Sequence, residues 1–111
     1  MATGALFHYE VENSGDDEHH NKLTSVKCHG KLVAENADEL KDLVKPLIPL
    51  GGRIVIDLGD LNYLDSSGLG TLLGLKISAV KQGYCVLEIA NMTPKVLELL
   101  KITNLASIFS S

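Results

Sequence analysis

Leu58-Gly-Asp-Leu-Asn-Tyr-Leu-Asp65-Ser66-Ser67-Gly68-Leu69-Gly70 is the stretch on which the reading of this chain turns. Before it runs Arg53-Ile-Val-Ile-Asp-Leu58, β-branched and apolar on both faces. That pattern suits a central strand covered on both sides, or a strand with parallel neighbours. After it, Leu69 to Lys81 has helical spacing and is closed by Gly83. The residues between are read as a short polar loop that delivers the chain from strand to helix. Such a loop stands a hydroxyl, Ser66, at a helix N-terminus with a carboxylate, Asp65, beside it. Serine or aspartate there is common for capping alone, but here the first turn also contains Gly68 and Gly70, so its backbone is unusually bare.

At ~100° per residue, Leu69, Leu72, Leu73, Ile77 and Val80 gather on one side of this helix and are expected to face the sheet. Ser67, Gly70, Thr71, Gly74 and Ser78 gather on the other. Glycine inside a helix costs about 0.8–1 kcal/mol relative to alanine, and this helix has Gly68, Gly70 and Gly74 in its first half. A closely approaching partner would explain that cost; the competing reading is that another element of the same chain uses the small face. Leu75 borders the small strip and is expected to be solvated.

Working outward, Phe7, Tyr9 and Val11 alternate with His8, Glu10 and Glu12, the pattern of a half-buried strand. Asn13 to Asn21 has no apolar residue and reads as an exposed loop or hairpin tip. Thr24, Val26 and Cys28 form a second strand, ending near Gly30 and antiparallel to the first. Ala37, Leu40, Val44, Leu47 and Ile48 recur at helical steps, with Asn36 as N-cap. Pro46 should kink or end that helix near Lys45, and Pro49 with Gly51-Gly52 stops it. Tyr84 to Ile89 is a further strand. Thr93 caps a last helix with Pro94 at its first position, and Ala106 to Phe109 reads as a short edge strand. The fold class is therefore α/β: one domain over residues 1–111, with a mixed 4–5-stranded sheet. A leading antiparallel hairpin is followed by parallel crossovers, which are right-handed by rule.

The chain has 111 residues and a formal net charge of −4. Its ten Lys and Arg are scattered, so a nucleic-acid partner is not indicated. No apolar run approaches the roughly 20 residues of a membrane span, and Met1 to Phe7 does not resemble a secretory signal. Cys28 and Cys85 lie in apolar alternations and read as buried free thiols, so a cytoplasmic protein is expected. His19-His20 beside Asp16, Asp17 and Glu18 reads as a solvated loop, and no metal site is expected in the chain. A hydrolase using Ser66 would need a base and a Gly-x-Ser-x-Gly elbow, neither of which is evident. No glycine-rich nucleotide motif is complete.

Val55-Ile-Asp-Leu58, Tyr63-Leu-Asp-Ser-Ser-Gly-Leu-Gly-Thr-Leu-Leu-Gly74, Gly83-Tyr-Cys-Val-Leu, Thr93-Pro-Lys-Val-Leu-Glu-Leu-Leu and Asn104-Leu follow one another in the order and spacing of a known family. Arg53 to Phe109 resembles the anti-sigma-factor antagonist branch of the STAS family. The resemblance implies about three helices packed mainly on one face of the sheet, and a role in partner switching that regulates transcription. It implies that Ser66, with Ser67 as the alternative acceptor, is phosphorylated by a serine kinase that is itself the anti-sigma factor. The unphosphorylated protein would bind that kinase, and a phosphatase would reset it. ATP and Mg²⁺ belong to the kinase, so no cofactor is expected on this chain and no enzymatic activity. The partner surface implied is Asp65, Ser67, Gly68, Leu69, Gly70, Thr71, Gly74, Leu75 and Ser78. The alternative is a STAS scaffold or adaptor in a signalling or lipid-transport assembly, where Ser66 only caps. Val33, after Gly30-Lys31-Leu32, departs from the acidic residue that many relatives carry there.

Overall fold

In the computed structural model, residues 7–16, 22–83 and 85–103 are described. Strand β1 (Phe7–Asp16) and strand β2 (Lys22–Leu32) pair antiparallel; helix α1 (Ala37–Val44) follows, then a 3₁₀ segment (Lys45–Leu50). Strand β3 (Gly52–Leu64) leads into helix α2 (Ser66–Gln82), strand β4 (Cys85–Ala90) and helix α3 (Pro94–Thr103). The sheet order is β1-β2-β3-β4, with β2, β3 and β4 mutually parallel. The expected hairpin followed by parallel crossovers is what forms. The further strand expected at Ala106 to Phe109, and residues 17–21 of the loop or hairpin tip expected at Asn13 to Asn21, lie outside the described residues; Asn13 to Asp16 prolong β1, where Asn13 pairs with Thr24 and Asp16 with Lys22.

Alternation within the strands places the core. Val26 and Cys28 of β2, Ile54, Ile56 and Leu58 of β3, and Leu87 of β4 point to one face and are buried. Against them pack Leu40 and Val44 of α1, Ile48 of the 3₁₀ segment, Leu69, Leu72, Leu75 and Ala79 of α2, and Val96 and Leu100 of α3. On the other face Lys27 and Val86 are exposed and Val55 is half-buried. So β3 owes its apolar run to parallel neighbours, not to cover on both sides. Both cysteines are free and buried. Burial, with the charge of Asp57 second, pushes the Cys28 thiol up to about 12, which leaves it chemically inert.

The local signals for the ends of the helices act largely as expected. Pro46 ends α1 as an α-helix, and the chain tightens into the 3₁₀ segment until Gly51. Gly83 closes α2 in the left-handed conformation, φ 75°, its N–H donating to the Ala79 carbonyl at 3.1 Å. Thr93 Oγ1 accepts from Val96 N at 3.3 Å at the start of α3. Asn36 occupies the N-cap position of α1 but makes no cap bond. Its Oδ1 accepts from Val33 N at 2.9 Å and its Nδ2 donates to Lys31 O at 3.0 Å. The side chain therefore braces the turn leaving β2.

Two further expectations are corrected. Residues 59–64 are not a loop: β3 continues to Leu64, with Leu61 and Leu64 buried. The long β2 supplies the backbone partners, Gly30 to Leu61 and Leu32 to Leu64, across two register shifts. Pairing overrides a composition rich in Gly, Asp and Asn. The inward face of α2 is also rotated, by about 80° at ~100° per residue. Gly68, Leu69, Leu72, Leu75, Lys76 and Ala79 are buried, whereas Ile77 is 48% and Val80 69% exposed. Lys76 is accommodated because its ammonium donates to the Leu87 carbonyl at 2.8 Å.

Candidate functional site

The site is assembled where β3 ends and α2 begins. Asp65 is the N-cap, extended at φ −97° and ψ −177°, and its Oδ1 accepts from Gly68 N at 2.8 Å. Its Oδ2 accepts from Ala34 N at 3.0 Å, and its own N–H donates to Leu32 O at 3.2 Å. One carboxylate thus ties the start of α2 to the turn after β2. The Gly68 amide first, with those of Ala34 and Ser67, holds this carboxyl below its ordinary value against partial desolvation. Asp65 is therefore a fixed anion at neutral pH, and its charge is already engaged by the helix start.

That linkage has a sign. A carboxyl with a depressed folded-state pKa stabilises above its unfolded value, ordinarily 3.8, and the contribution is lost as pH falls through the folded value. Asp65→Asn is expected to lower the thermal midpoint at pH 7. Its curve of midpoint against pH should then converge on that of the wild type below about pH 3.8. Parallel curves through that range would remove Asp65 as the source.

Because Asp65 takes the cap, Ser66 is the first helical residue and is free of that duty. It is exposed, and among the described residues its hydroxyl has no hydrogen-bond partner. Ser67 beside it is also exposed. Gly68 has a different role: a Cβ there would fall on the Leu32 carbonyl oxygen and within 2.8 Å of Leu64 Cδ1. Glycine is what lets α2 start hard against β2.

Gly70 and Gly74 are the opposite case. A Cβ on either would meet nothing within 4 Å, so no element among the described residues uses the small face at these two glycines. Ser67, Gly70, Thr71, Gly74 and Ser78 form one wall of an open groove of about 390 Å³, with Leu75 at its base. The facing wall is Asp38, Lys41 and Lys45. The α1–α2 packing that aims these three here has no local sequence signal. Of the expected contact residues, Gly68 and Leu69 are buried, and Leu75, expected to be solvated, is 3% exposed. The rotation of α2 accounts for this, and it sets Ile77 outward as an apolar neighbour of Gly70 and Gly74.

A fold of this order, with an aspartate capping the helix after the third strand and a free serine opening it, defines a class. The model of the STAS domain family matches residues 16–111, and the chain belongs to that family. Among its relatives is the anti-sigma-B factor antagonist of Bacillus subtilis (strain 168), 32% identical over 83 residues, 75% of each chain. The structure of the anti-sigma factor antagonist SpoIIAA in its unphosphorylated form is similar with a TM-score of 0.70 at 18% identity, covering 90% of this chain and 84% of that one. The phosphorylated form of SpoIIAA, a Bacillus cell fate determinant, gives 0.68 at 17% identity, covering 90% and 86%. No helix among the described residues is long and apolar enough to cross a membrane.

Proposed function

We propose that this chain is an anti-sigma factor antagonist that works by partner switching. Unphosphorylated, it docks an anti-sigma factor through the rim at Ser66 and the bare outward face of α2. Phosphorylation of Ser66 by that partner, a serine kinase carrying its own ATP and Mg²⁺, dissolves the complex, and a phosphatase restores it. The observation that carries this reading is the pair Gly70 and Gly74, which have open space above them. Two glycines where alanine would fit forgo about 0.8–1 kcal/mol each, and a backbone approached from outside would make use of them. The names of the relatives and the exposure of Ser66 support the same reading.

The chemistry suits a local switch. A phosphate adds about −1.5 to −2 charges. At the start of a helix the dipole and the first-turn amides tolerate that charge, so the fold survives. Inside an interface it must be desolvated beside the Asp65 carboxylate, which is unfavourable.

Incubation with the cognate kinase and ATP, followed by mass-spectrometric mapping, is expected to place the label on Ser66. Absence of label on both Ser66 and Ser67 would reject the switch and leave the scaffold reading. Gly74→Ala is expected to raise stability by about 0.8–1 kcal/mol in urea unfolding. Gly74→Leu should fold and melt much as the wild type but fail to capture the kinase. Unfolding of Gly74→Leu, or its normal capture, would count against this docking face.

A further inference from the structure

The face of the sheet away from the helices carries a cluster that the switch does not use. In the β1–β2 register His8 stands opposite His29 and Glu10 opposite Lys27. In the β2–β3 register His29 stands opposite Asp60 and Lys27 opposite Asp57. Two rows of charged side chains therefore cross the sheet side by side. The register shift between Lys27 and His29 turns Asp60 toward the imidazole. The His8 and His29 rings stack with centroids 4.4 Å apart and planes 11° from parallel. His29 Nε2 meets Glu10 Oε2 at 2.5 Å, and its Nδ1 meets the Asp60 carboxylate. One ligand atom from each of His8, Glu10 and His29 lies within 4.8 Å of the other two.

We propose that His8, Glu10 and His29 form a surface site for a divalent transition metal, with Zn²⁺ the best match, and that Asp60 positions the His29 ring. Two imidazoles and one carboxylate are a zinc donor set, whereas Mg²⁺ and Ca²⁺ select oxygen ligands. Asp60 on Nδ1 is the arrangement by which a carboxylate fixes the tautomer of a ligating histidine, aiming its Nε2 at the metal. The His29 side chain is only 15% exposed and serves as the anchor. His8 and Glu10 are exposed and free to close on an ion at bond lengths of about 2.0–2.2 Å. On binding, the proton shared by Nε2 and Glu10 leaves to solvent and the metal takes its place. Glu10, Asp57 and Asp60 set three carboxylates against the single ammonium of Lys27 in these two rows, a balance that favours a dication. Water completes the coordination on the solvent side.

The test uses the full chain and Zn²⁺ alone, titrated calorimetrically in a non-coordinating buffer. One equivalent should bind, and the ring resonances of His8 and His29 should shift together by NMR. His8→Ala lies on the exposed face of an edge strand, and its melting checks the fold; it should weaken binding about tenfold or more. Asp60→Asn, which touches no metal, should weaken it about 10–100-fold. The double variant His19→Ala, His20→Ala should bind as the wild type does. The proposal is overturned by absence of Zn²⁺ binding, by unchanged affinity in His8→Ala, or by loss of binding in the double variant. The last result would place the ion on residues 17–21 instead.

Discussion

Under the proposed partner switch, Ser66→Asp is expected to weaken capture of the anti-sigma kinase about a thousandfold, equivalent to ~4 kcal/mol, with little change in the melting temperature. The asymmetry follows from where the hydroxyl stands. It is the first residue of α2, exposed and uncommitted to any described partner. A carboxylate there meets the positive end of the helix in the free protein, but in a complex it is forced out of water next to Asp65. Ser66→Ala should instead fold normally and hold the kinase persistently, because the partner no longer has an acceptor with which to release itself. Calorimetric titration of both variants with the kinase, beside thermal unfolding of each alone, checks the pair. Capture by Ser66→Asp at wild-type strength would end the electrostatic account of the switch.

The second large effect is on stability. Gly68→Ala is expected to destabilise the fold by about 2 kcal/mol in denaturant unfolding. Helix propensity alone favours alanine by about 0.8–1 kcal/mol, but overpacking typically costs about 1–3 kcal/mol. The upper end applies here because the added Cβ lands on the carbonyl oxygen of Leu32 and beside Leu64 Cδ1, and backbone in a sheet cannot step aside as a flexible side chain can. Gly70→Ala, two residues on and with nothing within 4 Å, is the internal control and should stabilise instead. Equal effects at the two positions would show that α2 does not sit tightly on β2.

How much of this was legible beforehand depends on the range of the forces involved. The order of strands and helices was readable because periodicity, Gly83, Pro46 and Thr93 act within a few residues. The Asp65–Ser66 helix start was readable for the same reason, although which of the two caps was left open until the Asp65 bonds to Gly68 and Ala34 were in view. The rotation of α2 was missed because hydropathy favoured Ile77 and Val80 over Lys76 and Ala79. Only the Leu87 carbonyl, remote in sequence, makes a buried lysine acceptable. The continuation of β3 through Asp60 and Asn62 was missed because its partners come from β2. The His8–His29 pairing has no local signal for a similar reason: the two become neighbours only through hairpin register, whereas alternation alone puts His8 and Glu10 on a shared face.

If α2 docks a partner as proposed, the vacant volume above Gly70 and Gly74 sets two selective pressures against each other at the same atoms. A library screened for heat resistance alone would drift toward alanine at both positions and surrender the proposed grip on the kinase. One screened for capture would keep glycine and remain the softer protein. A thermostabilised descendant of this chain therefore has to gain its extra degrees elsewhere, on the far side of the sheet or in the turns.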